Sequence, residues 1–318
     1  MRLLLLSLPL LLAACLAPNS APETSAPMAP ASFDAPDEYG PGYGVSADEF
    51  GAYWYQGVAE ITSYDLDQAR YGAQHDGEAV LVYVTEPFSR SKQVKLDRST
   101  GGADEATVLK LNATRSFLTG IYPYSMMTSV FQPVDAAPTL KVTTTSQEWC
   151  GHTFTQLNRS GADGQGGYGL EFRSYFESEG DQDLDFANVM LEDEVWTMIR
   201  LNPSALPTEP VTMLPGTTYQ RFSHIDWQAH TAEPSLSAPD ADGMQTYRLA
   251  YPDLGRTLAI RFRAAFPHEI EGWTETRRAR GQAVTTTATR MAQLRSAYWG
   301  QNSPEDEVLR EQLGLSSP

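Results

Sequence analysis

The sequence predicts a mainly β, β-rich α+β domain: a curved antiparallel sheet or half-barrel with a short C-terminal helix. Three observations point there. Short runs rich in Val, Leu, Ile, Thr and aromatics recur between turn residues from about Gly77 to Arg295, which is strand rather than helix patterning. Alternation with period two is clearest in RTLAIRFR, where Leu258, Ile260 and Phe262 share one face and Arg261 and Arg263 the other, the mark of a half-buried antiparallel strand. A helix-start pattern stands out near the end, in SPEDEVLREQLGL. There Ser303 is placed as N-cap, Pro304 at N1 and Asp306 at N3.

Each element follows from its local residues. Composition changes at Phe50, which places the domain start near Asp48. GAYWYQGVAEITSYDLDQARYG reads as an aromatic strand followed by polar residues approaching a turn at His75-Asp76-Gly77. GEAVLVYVT (77–85) is a strand, and residues 92–96 and 107–113 form two more across a Ser-Thr-Gly-Gly loop. GIYPYSMMTSVF (120–131) reads as a core-facing strand and turn around Pro123. Residues 140–145 and 151–158 pair around QEWCGHTFTQLN. GADGQGGYG (161–169) is a flexible loop, with a strand over 170–177. MQTYRLAYPDLGRTLAIRFRAAFP gives two strands across Pro-Asp-Leu-Gly. Residues 270–277 and 284–295 add two, joined by the polar turn ARGQ. The final helix is expected to pack Val308, Leu309 and Leu313. No internal repeat occurs.

Ahead of the domain lie two other segments. Residues 1–14 read as a signal peptide: Arg2, then an apolar stretch from Leu3 to Leu12, too short to span a bilayer as a mature helix. Leu12-Ala13-Ala14-Cys15 resembles the lipobox of bacterial lipoproteins, and the resemblance implies thioether lipidation of Cys15, cleavage before it and acylation of the new amino terminus, with palmitate as the labelling probe. Leu16 stands where an inner-membrane retention signal would place aspartate, which favours the outer membrane. Residues 15–47, rich in Pro, Ala, Ser and Thr, cannot bury enough surface to fold and read as a tether. The expected localisation is the cell envelope, lipid-anchored, on the periplasmic or surface face. The domain is 48–318.

The net charge of −17, from 40 acidic against 23 basic residues, argues against nucleic acid and anionic headgroups as partners. With Cys15 assigned to lipid, Cys150 is the remaining thiol, so the domain depends on its core rather than on a disulfide.

Candidate chemistry is sparse. On a strand, Cys150 and His152 would share a face beside Glu148, and a thiol near an imidazole can become a nucleophile. Trp149 and Phe154 suggest instead a packed strand in which the cysteine acts as a small apolar residue. Glu177, Glu179 and Asp181 to Asp185, and then Glu192-Asp193-Glu194, are read as solvated carboxylates, with ion binding or acid–base work as the sharper alternative. Asp240-Ala-Asp242-Gly243 resembles the start of a calcium loop without its bidentate glutamate. Tyr122 and Tyr124, with Met126, Met127 and Phe131, are candidates to line a cleft, and Glu177 and Arg200 are further ligand candidates. His75, His224, His230 and His268 show no zinc spacing. No Walker loop, GxSxG elbow, dinucleotide fingerprint, HExxH or CxxC is present, so no metal or cofactor is expected.

YWYQGVAEITSYDLDQARYG, LTGIYPYSMMTSVFQPVD, TTTSQEWCGHTFTQLN, YFESEGD, LEDEVWTMIRLNP and YWGQNSPEDEVLREQLGL together resemble one family across most of residues 50–315. It comprises lipoproteins of Bacteroidetes and related bacteria that carry the label septum formation inhibitor Maf. The resemblance implies export and lipid anchoring and assigns no activity. The cytoplasmic nucleotide pyrophosphatases of that label begin with a Ser-x-Ser-Pro-Arg-Arg element. Its nearest string here, Ser303-Pro304-Glu305-Asp306, lies at the other end, so their chemistry is not implied. The resulting expectation is a non-catalytic envelope lipoprotein that binds a lipid, a glycan or an envelope protein. The alternative is an envelope hydrolase using Cys150, His152 or the carboxylates.

Overall fold

Alternating β-branched, aromatic and polar residues build one sheet of sixteen strands. The computed structural model describes residues 45–135, 137–161, 166–187, 189–279 and 281–316; the signal segment, Cys15 and the tether up to residue 44 lie outside them. The first half of the chain gives α1 (Ala47–Trp54), β1 (Ala59–Arg70), β2 (Ala73–Ser89), β3 (Val94–Lys95), β4 (Glu105–Thr119), β5 (Tyr122–Pro133), β6 (Lys141–Glu148), β7 (Gly151–Arg159), β8 (Tyr168–Ser174) and β9 (Gln182–Phe186). The second half gives β10 (Met190–Leu191), α2 (Val195–Leu201), β11 (Val211–Leu214), α3 (Thr217–Ser223), β12 (His230–Leu236), β13 (Met244–Tyr251), β14 (Arg256–Arg263), β15 (Ile270–Ala279), β16 (Gln282–Ser296) and α4 (Val308–Gln312).

The spatial order is β10-β11-β12-β13-β14-β15-β16-β1-β2-β4-β5-β6-β7-β8-β9, with β3 paired to β2 beside this path. Neighbours are antiparallel except β10 and β11, which are parallel. Two meanders are therefore joined where β1 meets β16, Ala59 lying opposite Ser296. β9 ends at Phe186 and β10 begins at Met190, so the two outermost strands follow each other in the chain. Their facing ends lie at most about 15 Å apart. They do not pair among the described residues, and the sheet stays a curved, unclosed wall.

Antiparallel pairing gives this wall two rims. The proximal rim carries the start of β1 and the β14–β15 loop. The distal rim carries the β1–β2, β4–β5, β6–β7 and β8–β9 connections. On the concave face, Leu66, Leu81, Leu111, Val130, Leu170 and Ile260 pack with Ile199 of α2 and Phe222 of α3 in the main core. Each such side chain contributes roughly 1.5–3 kcal/mol by leaving water. α2 lies toward the proximal rim and α3 toward the distal one, since Arg200 reaches the Pro267 carbonyl while Arg70, at the end of β1, donates to the Phe222 carbonyl. No described helix is long and apolar enough to cross a membrane.

Several elements depart from the sequence expectation. The aromatic segment at the domain start is helix α1, not strand: Ser46 caps it by accepting from the Glu49 amide at 3.2 Å, and Asp48 and Glu49 sit in its first turn. The following turn falls at Tyr71-Gly72 rather than at His75-Asp76-Gly77, because β1 and β2 pair right up to Arg70 opposite Ala73. Residues 92–96 shrink to the two-residue β3. The turn expected around Pro123 falls at Gly120-Ile121, and Pro123 lies within β5 opposite Leu118. Glu192-Asp193-Glu194 is a buried 3₁₀ turn instead of a solvated acidic patch. Asp240 serves its own turn, accepting from the Asp242 and Met244 amides at 3.0 and 2.9 Å, which is an Asx turn. The C-terminal helix forms behind the expected Ser303–Asp306 capping box. Leu313 is buried against Ile61 and Val84 on the convex face, while Val308 is exposed.

Candidate functional site

Charged side chains are buried on the concave face in three groups. Nearest the proximal rim, Arg200 is only 1% exposed. Its guanidinium holds Glu60 in a two-pronged ion pair, with Nη2 at 2.6 Å from Oε2, and donates from Nε to the Pro267 carbonyl at 2.8 Å. The Trp54 and Tyr83 rings flank it at 5.1 and 4.7 Å. Burial pushes the Glu60 carboxyl up, but the charge and hydrogen bonds of Arg200 outweigh it and hold the group below the ordinary carboxylate value. Arg200, a ligand candidate by sequence, is thus fully engaged within the fold.

In the middle, Arg256 pairs with Glu192, Nη2 to Oε1 at 2.6 Å, and with Glu275, Nε to Oε1 at 2.7 Å. Tyr251 donates to the same Glu192 at 2.7 Å. Gly216 lets α3 begin against this cluster: a Cβ there would stand 2.6 Å from Glu192 Oε1, an oxygen that Arg256 holds in place. Asp193 accepts from the Thr217 amide at 2.9 Å. Burial, reinforced by the charge of Glu192, lifts its carboxyl to about 7. The cavity beside this cluster measures about 40 Å³, room for very little beyond water.

The third group, at the distal rim, meets solvent. Trp149 and Cys150 are the two turn residues between β6 and β7, since Glu148 pairs with Gly151. Trp149 is 69% exposed, a correction to its expected place in the core. Its ring lies over Tyr122 with centroids 6.3 Å apart. Neighbouring tips carry Tyr71, Ile121 (80% exposed) and Tyr175 (74% exposed). Tyr71 and the buried Tyr124 share a hydroxyl contact of 2.7 Å, with the Arg70 guanidinium 4.4 Å above the Tyr71 ring. Behind the tips, Arg221 of α3 reaches Glu148 at 3.4 Å and stacks on Phe176 at 4.9 Å. His224 ends α3 in the left-handed region at φ 51°, a conformation that histidine tolerates better than most residues. From there its Nδ1 pairs with Glu179, which also accepts from Ser174.

Between α3 and β7–β9 lies a cavity of about 100 Å³, lined by Thr155, Phe172, Glu179, Gln220, Arg221 and Trp227 among others. Gln220 is 3% exposed, and neither of its amide heteroatoms has a hydrogen-bond partner among the described residues; nor has Arg221 Nε. An unpaired buried amide costs roughly 1–3 kcal/mol, so unmet polar capacity lies in the wall of this cavity.

The structure gathers Glu148, Cys150, Tyr122 and Tyr124 on the distal rim, with exposed Glu177 in the β8–β9 connection. It does not make a Cys–His pair of the kind expected. Cys150 sits in the turn and His152 on β7, so the shared strand face does not exist. Glu148 accepts a hydrogen bond from the Cys150 amide, and its hydrogen bond and charge push the exposed thiol above its ordinary value, the opposite of what a nucleophile needs. Gln220, and Arg221 with its pairing to Glu148, carried no sequence signal, because TYQRFSH has no motif and a helix this short has little periodicity. Among the described residues, no group of three or more His, Cys, Asp or Glu side chains has the arrangement to hold a metal.

No protein-family model and no curated protein matches the chain. Among solved structures it is similar to the crystal structure of a β-barrel-like protein of a domain of unknown function, DUF1849, from Brucella abortus. The two share 10% identity with a TM-score of 0.44, over 74% of this chain and 97% of that one.

Proposed function

We propose that the protein is a non-catalytic, lipid-anchored module of the cell envelope that binds a glycan along its distal rim. One observation carries the reading: successive hairpin tips hold Tyr71, Ile121, Trp149 and Tyr175 in solvent, with a polar cavity behind the β8–β9 end of the row. Flat, exposed rings beside amide, carboxylate and guanidinium groups suit sugars, whose faces are apolar and whose edges are hydroxyls. Adjacent tips recur every two strands, about 9.6 Å, close to the length of a disaccharide unit. A lipid chain is less well served, because α2, α3 and the buried pairs Arg200–Glu60 and Arg256–Glu192 fill the concave face. A cysteine hydrolase is disfavoured because Glu148 pushes the Cys150 thiol upward, away from thiolate formation.

The test is titration of the full chain carrying Cys15→Ala with soluble glycan strands released from peptidoglycan. Saturable binding that weakens at least about tenfold in Trp149→Ala, with the melting temperature unchanged, is expected. Binding indifferent to Trp149→Ala, or no binding to such strands, refutes it. In cells, Cys15→Ala should abolish palmitate labelling and release the protein from the membrane fraction; labelling that survives removes the anchor from the proposal.

A further inference from the structure

The cavity behind α3 has a chemistry narrower than that of sugar binding in general. Two of its buried polar side chains, Gln220 and Arg221, are neighbours on α3. Between them they leave a free amide oxygen, a free amide nitrogen and a free guanidinium N–H. One wall is apolar, formed by Phe172 and Trp227 with ring centroids 5.5 Å apart in an edge-to-face pair. The remaining wall carries Glu179 and Asp226, which together with the overall charge of −17 turns away anionic ligands. Glu179 is itself occupied by His224 and Ser174. A fitting group is therefore small and neutral, with one N–H, one carbonyl and a methyl.

We infer that this cavity takes the acetamido group of an N-acetylated hexosamine. The acetamido N–H donates to Gln220 Oε1, its carbonyl accepts from Arg221 Nε, and its methyl packs against Phe172 and Trp227. Gln220 Nε2 is left for a neighbouring hydroxyl. The N–H and C=O of a secondary amide point in opposite directions, which is why two residues rather than one are required. The position agrees with the rim. Glu179 belongs to the connection that carries Tyr175, and Arg221 pairs with Glu148, the residue before Trp149. A sugar seated here lies between two aromatic tips.

This inference rests on the glycan reading and fails separately from it. The full chain carrying Cys15→Ala is titrated by calorimetry with the β-1,4-linked disaccharide of N-acetylglucosamine and with cellobiose, which lacks only the acetamido groups. The expected result is a preference of at least about tenfold for the acetylated sugar, equivalent to one well-made interaction. Gln220→Leu keeps the volume and removes both unpaired polar atoms. It should erase the preference while leaving the melting temperature unchanged or raised. Equal affinity for the two disaccharides, or an undiminished preference in Gln220→Leu, overturns the acetamido assignment. If neither disaccharide binds, it also falls. Trp149-dependent binding of glycan strands alongside any of these results leaves the rim proposal standing.

Discussion

Asp193→Asn should stabilise the protein, and by an amount set by pH. Asp193 is buried at the 3₁₀ turn, gives its acceptor to the Thr217 amide at 2.9 Å, and lies beside Glu192, whose own charge is matched by Arg256. In the unfolded chain the carboxyl titrates near 3.8, in the folded chain near 7. Between those values the native state holds a proton that the unfolded state has lost. Stability therefore falls as pH rises through this window, and is fully present only below about pH 4. A separation from 3.8 to about 7, at 1.36 kcal/mol per pH unit, amounts to about 4 kcal/mol above pH 7. Asparagine keeps an oxygen for Thr217 and cannot ionise. Urea unfolding at pH 4.5, 6 and 8 should show a gain of about 1 kcal/mol at the lowest pH and one approaching about 4 kcal/mol at the highest. A gain independent of pH, or a loss at pH 8, would refute the reasoning.

The Glu60–Arg200 pair predicts the opposite behaviour. Glu60→Gln strands a buried guanidinium and should cost about 3–5 kcal/mol at pH 7, read by thermal melting; a cost below about 1 kcal/mol would contradict full burial of the charge. Because the folded Glu60 carboxyl lies below its ordinary value, its contribution is present above the unfolded value and disappears as pH falls through the folded one. The variant should accordingly show a shallower loss of stability in acid than the wild type. Cys150 is exposed but its thiol is pushed up, so iodoacetamide at pH 7.5 should react more slowly than with free cysteine, and Glu148→Gln should speed it severalfold. Leu313→Ala should cost about 2–3 kcal/mol and Val308→Ala almost nothing, which equilibrium unfolding separates directly.

Period-two alternation made the sheet legible, and the hairpin around Pro252-Asp253-Leu254-Gly255 falls where its turn residues place it, whereas Trp149-Cys150, read as strand, form the β6–β7 turn. α1 was hidden because Tyr53 and Trp54 favour strands locally, while Ser46, Asp48 and Glu49 supply a cap that overrides them. The Glu192–Glu194 turn escapes a sequence reading for a related reason. A run of carboxylates looks solvated until its distant partners are known: Arg256 for Glu192, and the Thr217 and Thr139 amides for Asp193 and Glu194. Of the site, the rim residues Tyr122, Glu148 and Cys150 could be picked out by residue type alone. Gln220 and Arg221 could not, since what distinguishes them is missing partners, a property of three-dimensional packing.

The placement of β1 has a consequence for how the chain acquires its shape. Its first strand is not an edge but sits mid-sheet, flanked by β2 and by β16, with Glu60 opposite Arg295 and Ser63 Oγ bonded to the Leu313 carbonyl. One side of β1 thus waits for partners that arrive only when nearly the whole domain has been made. Such long-range pairing folds slowly and leaves an open strand edge available to other chains in the meantime. Any loss of the C-terminal strands would expose the centre of the sheet rather than trim its border. Because β16 and the residues after it complete the centre of the sheet, the C-terminal strands act as the latch of the whole wall.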